Sequence, residues 1–156
     1  MDKKEEKDFS RGKRYCLRLL SARSRSESEI KDRLKRAGYN VLVAERILDS
    51  LKKERLVNDF DFAMEWISAH GNSRGVTMLV DELRQKGIDE KVIDEAIEMR
   101  GDELDEKETA KKIIEEKLNS EESEDIEKVK AKMLRHLVSK GFDREIAEDV
   151  INKRLN

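Results

Sequence analysis

Two histidines, one cysteine and one glycine-flanked turn are the residues on which familiar catalysis would have to draw. His70 and His136 stand 66 positions apart, with no HExxH run and no Cys/His spacing around either. His70 precedes Gly71 at the end of a helical pattern, where a cationic ring suits the negative end of the helix dipole. Cys16 is the single cysteine, so an internal disulfide and a thiolate zinc cage are excluded; this suits a reducing cytoplasm. The run Gly71-Asn72-Ser73-Arg74-Gly75 lacks the Lys-Ser/Thr of a phosphate loop and follows a helix rather than a strand, so it reads as a connecting turn. The acidic stretch 102–108 lacks the alternate-residue ligands and glycine of a calcium loop, and Glu121–Asp125 is too short for one. Both stand at the entry to a helix, where carboxylates favour the dipole. The expectation is a chain with no catalytic residue, no metal and no cofactor.

Its cations are the better candidates. Arg11, Arg14 and Arg18 recur at i, i+3 and i+7, a stripe opposite an apolar Cys16/Leu20 face. Arg23 and Arg25 flank the turn that opens the next helix, whose first amides already suit an anion. On that helix Lys31 and Lys35 share an outward face, Arg33 and Arg36 lie on other exposed sides, and Ile30 and Leu34 point inward. Such a set fits a phosphate backbone or an acidic protein groove, since both use the same side chains. Arg74, Arg84 and Lys86 extend the surface in the middle of the chain, among acids.

The elements that carry these residues repeat. Three segments align without gaps on Gly38, Gly87 and Gly141: LKRAGYNVLVAERIL, LRQKGIDEKVIDEAI and LVSKGFDREIAEDVI. Four residues before each glycine stands Leu34, Leu83 or Leu137; after it come Tyr39, Ile88 or Phe142, then Asn40, Asp89 or Asp143. Glycine accepts the left-handed conformation that ends many helices, the next apolar residue folds back on the last turn, and Asn or Asp caps the following helix. Each block therefore reads helix, sharp turn, helix. A further helix precedes each: residues 13–23, then Ser26-Glu27-Ser28-Glu29 as a capping box for a helix to Ala37; residues 59–70, then a helix ending at Lys86; residues near 105–118, then 123–140. In the helix at 59–70, Phe60, Ala63, Met64 and Ile67 line one face and Phe62, Trp66 and Ala69 the other, the pattern of a sandwiched helix, with Trp66 as a core anchor.

Nothing alternates with period two, and the chain has no proline, 45% charged residues and 4% aromatics. The expected fold is all-α: three tandem three-helix (helix-turn-helix-like) repeats, too small to stand alone and so stacked. Their expected bounds are 11–55, 56–100 and 101–156, after a charged, mobile tail at 1–10. The net charge of −2 hides a polarity, because residues 1–55 hold 17 basic and 10 acidic side chains and residues 11–36 alone hold ten basic and three acidic. A basic head on an acidic body points to a charged partner. No apolar run reaches the roughly 18 residues of a membrane span, and MDKKEEKDFS is unlike a secretory signal.

At this point the residues resemble a known family. Arg23-Ser24-Arg25-Ser26-Glu27-Ser28-Glu29-Ile30 is similar to the RxxSxxEL signature of the RecX regulatory proteins. So is the stretch from Leu56-Val57-Asn58-Asp59 through Phe62-Ala63 to Trp66, followed by Gly75, Leu79, Glu82-Leu83 and Lys86-Gly87-Ile88; the block from Leu137 to Ile151 fits the family's final repeat. The resemblance runs from about residue 12 to the end. It implies an elongated, curved array of three-helix repeats lying in the groove of the RecA–DNA filament, mostly as an inhibitor of filament growth, ATP hydrolysis, strand exchange and repressor cleavage in recombination and SOS repair. It implies no catalytic residue. Two departures stand out: family members often carry a strongly basic, proline-containing stretch where this chain has Ala69–Val76, and often His where Arg25 stands.

The leading expectation is thus a cytoplasmic, monomeric, non-enzymatic regulator that binds the RecA filament, with DNA bound weakly or through that filament. The alternative is an autonomous DNA-binding repeat protein that reads the phosphate backbone through its first repeat.

Overall fold

A computed structural model describes residues 2–101 and 104–156. Among these, nine helices and no strand are found: α1 (Lys3–Ala22), α2 (Glu27–Arg36), α3 (Val41–Lys53), α4 (Asp59–His70), α5 (Val76–Gln85), α6 (Glu90–Met99), α7 (Glu106–Asn119), α8 (Ile126–Ser139) and α9 (Arg144–Leu155). They fall into three successive three-helix repeats.

Each repeat turns between its second and third helix by the same device. The amides of Tyr39, Ile88 and Phe142 donate to the carbonyls of Leu34, Leu83 and Leu137 at 3.1, 3.2 and 3.1 Å, and those of Gly38, Gly87 and Gly141 donate three residues back at 3.0, 2.9 and 3.0 Å. This double bond pattern needs a left-handed residue at the glycine, and φ there is 91°, 78° and 92°. The three leucines are fully buried, so every turn is pinned from inside as well as by its backbone. Arg55 ends α3 in the same way at φ 55°, its amide bonded to Lys52 and that of Leu56 to Leu51.

The chain divides into two compact units, residues 1–63 with 83–95 and residues 64–82 with 96–156. The first has a core of Cys16, Ile30, Leu34, Val43, Ile47, Leu48, Leu51 and Val57. The second is built on Ala110, Ile114, Val129, Met133, Leu137, Phe142, Ala147, Val150 and Ile151.

Each unit contains one junction between neighbouring repeats, and the two junctions share a plan. In the first, the Ser26 hydroxyl at the start of α2 donates to the carbonyl of Lys86 at 2.7 Å, and the Glu27 amide donates to the carboxylate of Asp59 at 2.8 Å. In the second, the Gly75 amide at the start of α5 donates to the carbonyl of Lys140 at 2.9 Å, and the Val76 amide to the carboxylate of Glu106 at 2.7 Å. Two donors at the start of a repeat's second helix are thus satisfied by the next repeat: by the carbonyl of the residue before its turn glycine and by the carboxylate of the first residue of its first helix.

Two expectations change, and a third, the acidic stretch at the entry to a helix, holds for its described part. The tail expected at 1–10 is helical from Lys3 on: Asp2 accepts the Glu5 amide at 2.8 Å as a cap, and Phe9 packs on the first core; Met1 lies outside the described residues. The two-faced pattern at 59–70 resolves as Phe62, Ala63 and Ile67 buried, with Phe60, Met64 and Trp66 half-buried and Ala69 exposed. Of the acidic stretch at 102–108, residues 102 and 103 lie outside the described residues, while Asp105 caps α7 by accepting the Glu108 amide at 3.1 Å.

Candidate nucleoprotein-binding surface

The first repeat carries the exposed cations. On α1, Arg11, Arg14 and Arg18 are exposed on the side away from Cys16, and none has an ion-pair partner among the described residues. Lys13 is used differently: its ammonium reaches Glu54 at 2.6 Å and the Ser50 hydroxyl at 2.9 Å, which ties α1 to the end of α3.

The turn into α2 gathers several charges. Arg23 pairs with Glu29 at 2.8 Å and donates to the Ser24 carbonyl at 3.0 Å. Glu29 is also one half of the capping box with Ser26. Burial alone would raise its carboxyl, but hydrogen bonds from Arg23 and from the Ser26 amide, with the charge of Lys86, hold it below the ordinary carboxylate range. Arg25 is half-buried, and burial together with the neighbouring guanidinium groups of Arg23 and Arg33 pulls it below the usual arginine range. Positive charge is therefore crowded here, which an incoming anion would relieve. Along α2, Lys31 and Lys35 are exposed and without an ion-pair partner among the described residues, while Arg36 pairs with Asp32 at 3.1 Å.

Of the three cations expected to extend this surface, Arg74 and Arg84 are paired with carboxylates of their own. Arg74 is half-buried in an ion pair with Glu82, within the second unit. Arg84, in the first unit, is paired with Glu90, one of its amino groups lying 3.1 Å from the second carboxylate oxygen. Lys86 is half-buried and offers its carbonyl to the junction with Ser26. The structure so brings Arg11, Arg14, Arg18, Arg23, Arg25, Lys31, Lys35 and Arg36 onto one repeat, with Arg84 and Lys86 in the same unit and Arg74 in the other.

The residues suited to chemistry are placed structurally. Cys16 is fully buried, and burial pushes its thiol up to about 11. His70 packs on Trp66 in a tilted arrangement, with ring centroids 4.3 Å apart and planes at 53°. His136 is pulled below the usual imidazole range by burial and by Lys117 and Lys140. Among the described residues there is no group of three metal-binding side chains, and no helix is long and apolar enough to cross a membrane.

Comparison with known proteins accounts for all three repeats. Family models for the first, second and third three-helix domains of RecX match residues 13–51, 58–97 and 105–151. The chain belongs to the RecX family. The Regulatory protein RecX of Mycobacterium sp. strain JLS is 37% identical over 146 residues, which cover 90% of this chain and 80% of that protein. That of Mycobacteroides abscessus is 46% identical over 90 residues, 56% of this chain; the match spans 42% of its length, and several other curated relatives are matched over about half of theirs. A crystal structure of RecX from Lactobacillus salivarius superposes with a TM-score of 0.82 at 24% identity, covering 95% of this chain and 97% of that one. A second RecX crystal structure gives 0.82 at 26% identity over 93% of this chain and 73% of the other. Tandem three-helix repeats and a RecX regulatory role are thus shared with these relatives.

Residue types alone did not reveal two features of this RecX chain. One is the pairing of Arg74 and Arg84, because their carboxylates lie 8 and 6 residues away at spacings that no simple helical rule selects. The other is the junction role of Asp59 and Glu106, whose signal in the sequence is only an acid at the first position of a helix.

Proposed function

We propose that this chain is a non-enzymatic modulator of the RecA recombinase that binds in the groove of the RecA–DNA filament and restrains filament growth, ATP hydrolysis, strand exchange and coprotease activity. Arg11, Arg14, Arg18, Arg25, Lys31 and Lys35 form its main contact surface, flanked by Arg23 and Arg36, with Arg84, Lys86 and Arg74 in secondary roles. The observation that carries the reading is the contrast in ion pairing: Arg11, Arg14, Arg18, Lys31 and Lys35 stand exposed without carboxylate partners among the described residues, whereas Arg74 and Arg84 are paired with Glu82 and Glu90. Tandem repeats suit contact with successive protomers of a polymer. The protein acts as a cytoplasmic monomer and needs no cofactor.

Co-sedimentation with RecA filaments, set against naked single-stranded DNA, tests this. The filament should be bound far more tightly than the bare strand, and RecA ATPase and strand exchange should fall at stoichiometric amounts of the protein. Unchanged RecA activities would refute the reading.

The Arg11/Arg14/Arg18 stripe favours one second reading, autonomous DNA binding through phosphates. It requires bare-DNA affinity that drops steeply with salt, with a shallower slope when Arg14, Arg18 or Arg25 is replaced by Ala. Affinity no better than millimolar at low salt would remove it.

A further inference from the structure

Of the three turn glycines, two are covered and one is bare. A methyl group added at Gly87 would overlap the Ser28 side chain, and one added at Gly141 would overlap Met78; at Gly38 there is nothing within 4 Å. The covering residues belong to the junctions described above: the first turn of α2, from Ser26 to Ser28, sits on the Lys86–Gly87 corner, and the segment from Gly75 to Met78 sits on the Lys140–Gly141 corner. Ala37 and Gly38 hold the corresponding place in the first repeat, and none of the described residues covers Gly38.

The side chains beside that bare corner also depart from the repeat. The first two residues of the third helix are Glu90 and Lys91 in the second repeat and Arg144 and Glu145 in the third, all exposed. In the first repeat they are Val41 and Leu42, and they are 72% and 68% exposed, the two most exposed large apolar residues described. Exposed Lys35, Arg36 and Arg46 lie close in sequence on either side of the pair. An apolar pair with basic neighbours, next to an uncovered corner of known preference, is a surface without its occupant.

We infer that the Gly38 corner with Val41 and Leu42 is a docking surface that takes the N-terminal turn of a helix from the protein partner, as the Lys86–Gly87 and Lys140–Gly141 corners take helix N-terminal turns from within the chain, and that this turn is acidic like the Glu27/Glu29 turn seated at Gly87. Acidic residues favour the first turn of a helix, so the occupant's charge complements Lys35, Arg36 and Arg46. A second copy of this chain does not supply it. Ser26 and Gly75 stand twelve residues before their repeat's glycine, and the third repeat's counterpart is Val129. There α8 starts earlier, and the Val129 amide is bonded within the helix to Asp125 at 3.0 Å. The inference rests on the filament-binding reading and gives Lys35 and Arg36 of that surface a protein carboxylate to face, leaving phosphate contact to the Arg11/Arg14/Arg18 stripe of α1.

The test is the double substitution Val41→Glu, Leu42→Lys, which installs the pair that the second repeat already carries and leaves the net charge unchanged. Full-length wild type and variant are compared for binding to RecA filaments assembled on single-stranded DNA, for binding to the bare strand, for sedimentation and for thermal unfolding. The expected result is at least a tenfold loss of filament affinity with bare-strand affinity and unfolding unchanged. Wild-type filament affinity in the variant overturns the inference while the filament-binding reading stands. A parallel loss on bare DNA makes this a nucleic-acid contact and overturns it, as does a wild-type dimer that the substitution dissolves. Absence of filament binding by the wild type fails the reading beneath it.

Discussion

The two repeat junctions use the same pair of hydrogen bonds with very different steric margins. Between the first and second repeats the donor to Lys86 is a side chain, Ser26, and the residue over Gly87 is another serine. Between the second and third the donor to Lys140 is the backbone of Gly75, and a methyl group there would collide with the carbonyl of Gly141. One junction is spaced by hydroxyl-bearing side chains, which can turn aside; the other brings two backbones together, which cannot. Equivalent positions in a repeat therefore differ in tolerance according to what faces them, even where glycine, φ and hydrogen bonds match.

Substitutions should follow that order. Gly75→Ala is expected to be the most damaging, costing about 3 kcal/mol in a denaturant titration of the full chain, because the rigid neighbour cannot yield. Gly87→Ala should cost about 2 kcal/mol, combining left-handed strain with a clash that Ser28 relieves by moving, so that Ser28→Gly in the same chain recovers part of the loss. Gly38→Ala, with strain alone, should cost about 1 kcal/mol; a loss equal to that at Gly75 would break the comparison.

The smallest effect lies at the carboxylate of the first junction. Burial pushes Asp59 above the ordinary carboxylate range, against the amide bond from Glu27 that favours its charge. A carboxyl raised in the folded state holds its proton more tightly folded than unfolded. Its contribution thus favours folding at low pH and declines as pH rises from the unfolded carboxyl's value through the raised one. Asp59→Asn keeps an oxygen acceptor for the Glu27 amide and should flatten that decline in melts between pH 4 and 7, with stability at neutral pH no lower than wild type. A marked loss at neutral pH would show that the charge itself holds the junction together.

Much of this fold is legible in the residues, because its turns are governed by local chemistry. Leu-x-x-x-Gly followed by an apolar residue and Asn or Asp encodes the cap, the reversal and the next helix within a few positions, and Ser26 and Glu29 close their box on one another as their spacing implies. Long-range choices were less visible. Seven charged residues before Arg11 read as a solvated tail, yet a capping aspartate and one anchoring phenylalanine, Phe9, suffice to carry α1 back to Lys3. In the run VLV the helical period leaves only Val43 inside, with Val41 and Leu42 exposed. Which arginines remain unpaired depends on where distant carboxylates come to rest, and composition says nothing of that.

Helix α4 contributes Asp59–Ala63 to one compact unit and Met64–His70 to the other. The middle repeat consequently lends residues to both units, and a fragment cut at its borders would take part of each away. Shortened versions of this protein should be drawn to keep residues 59–95 attached to whichever neighbour is retained.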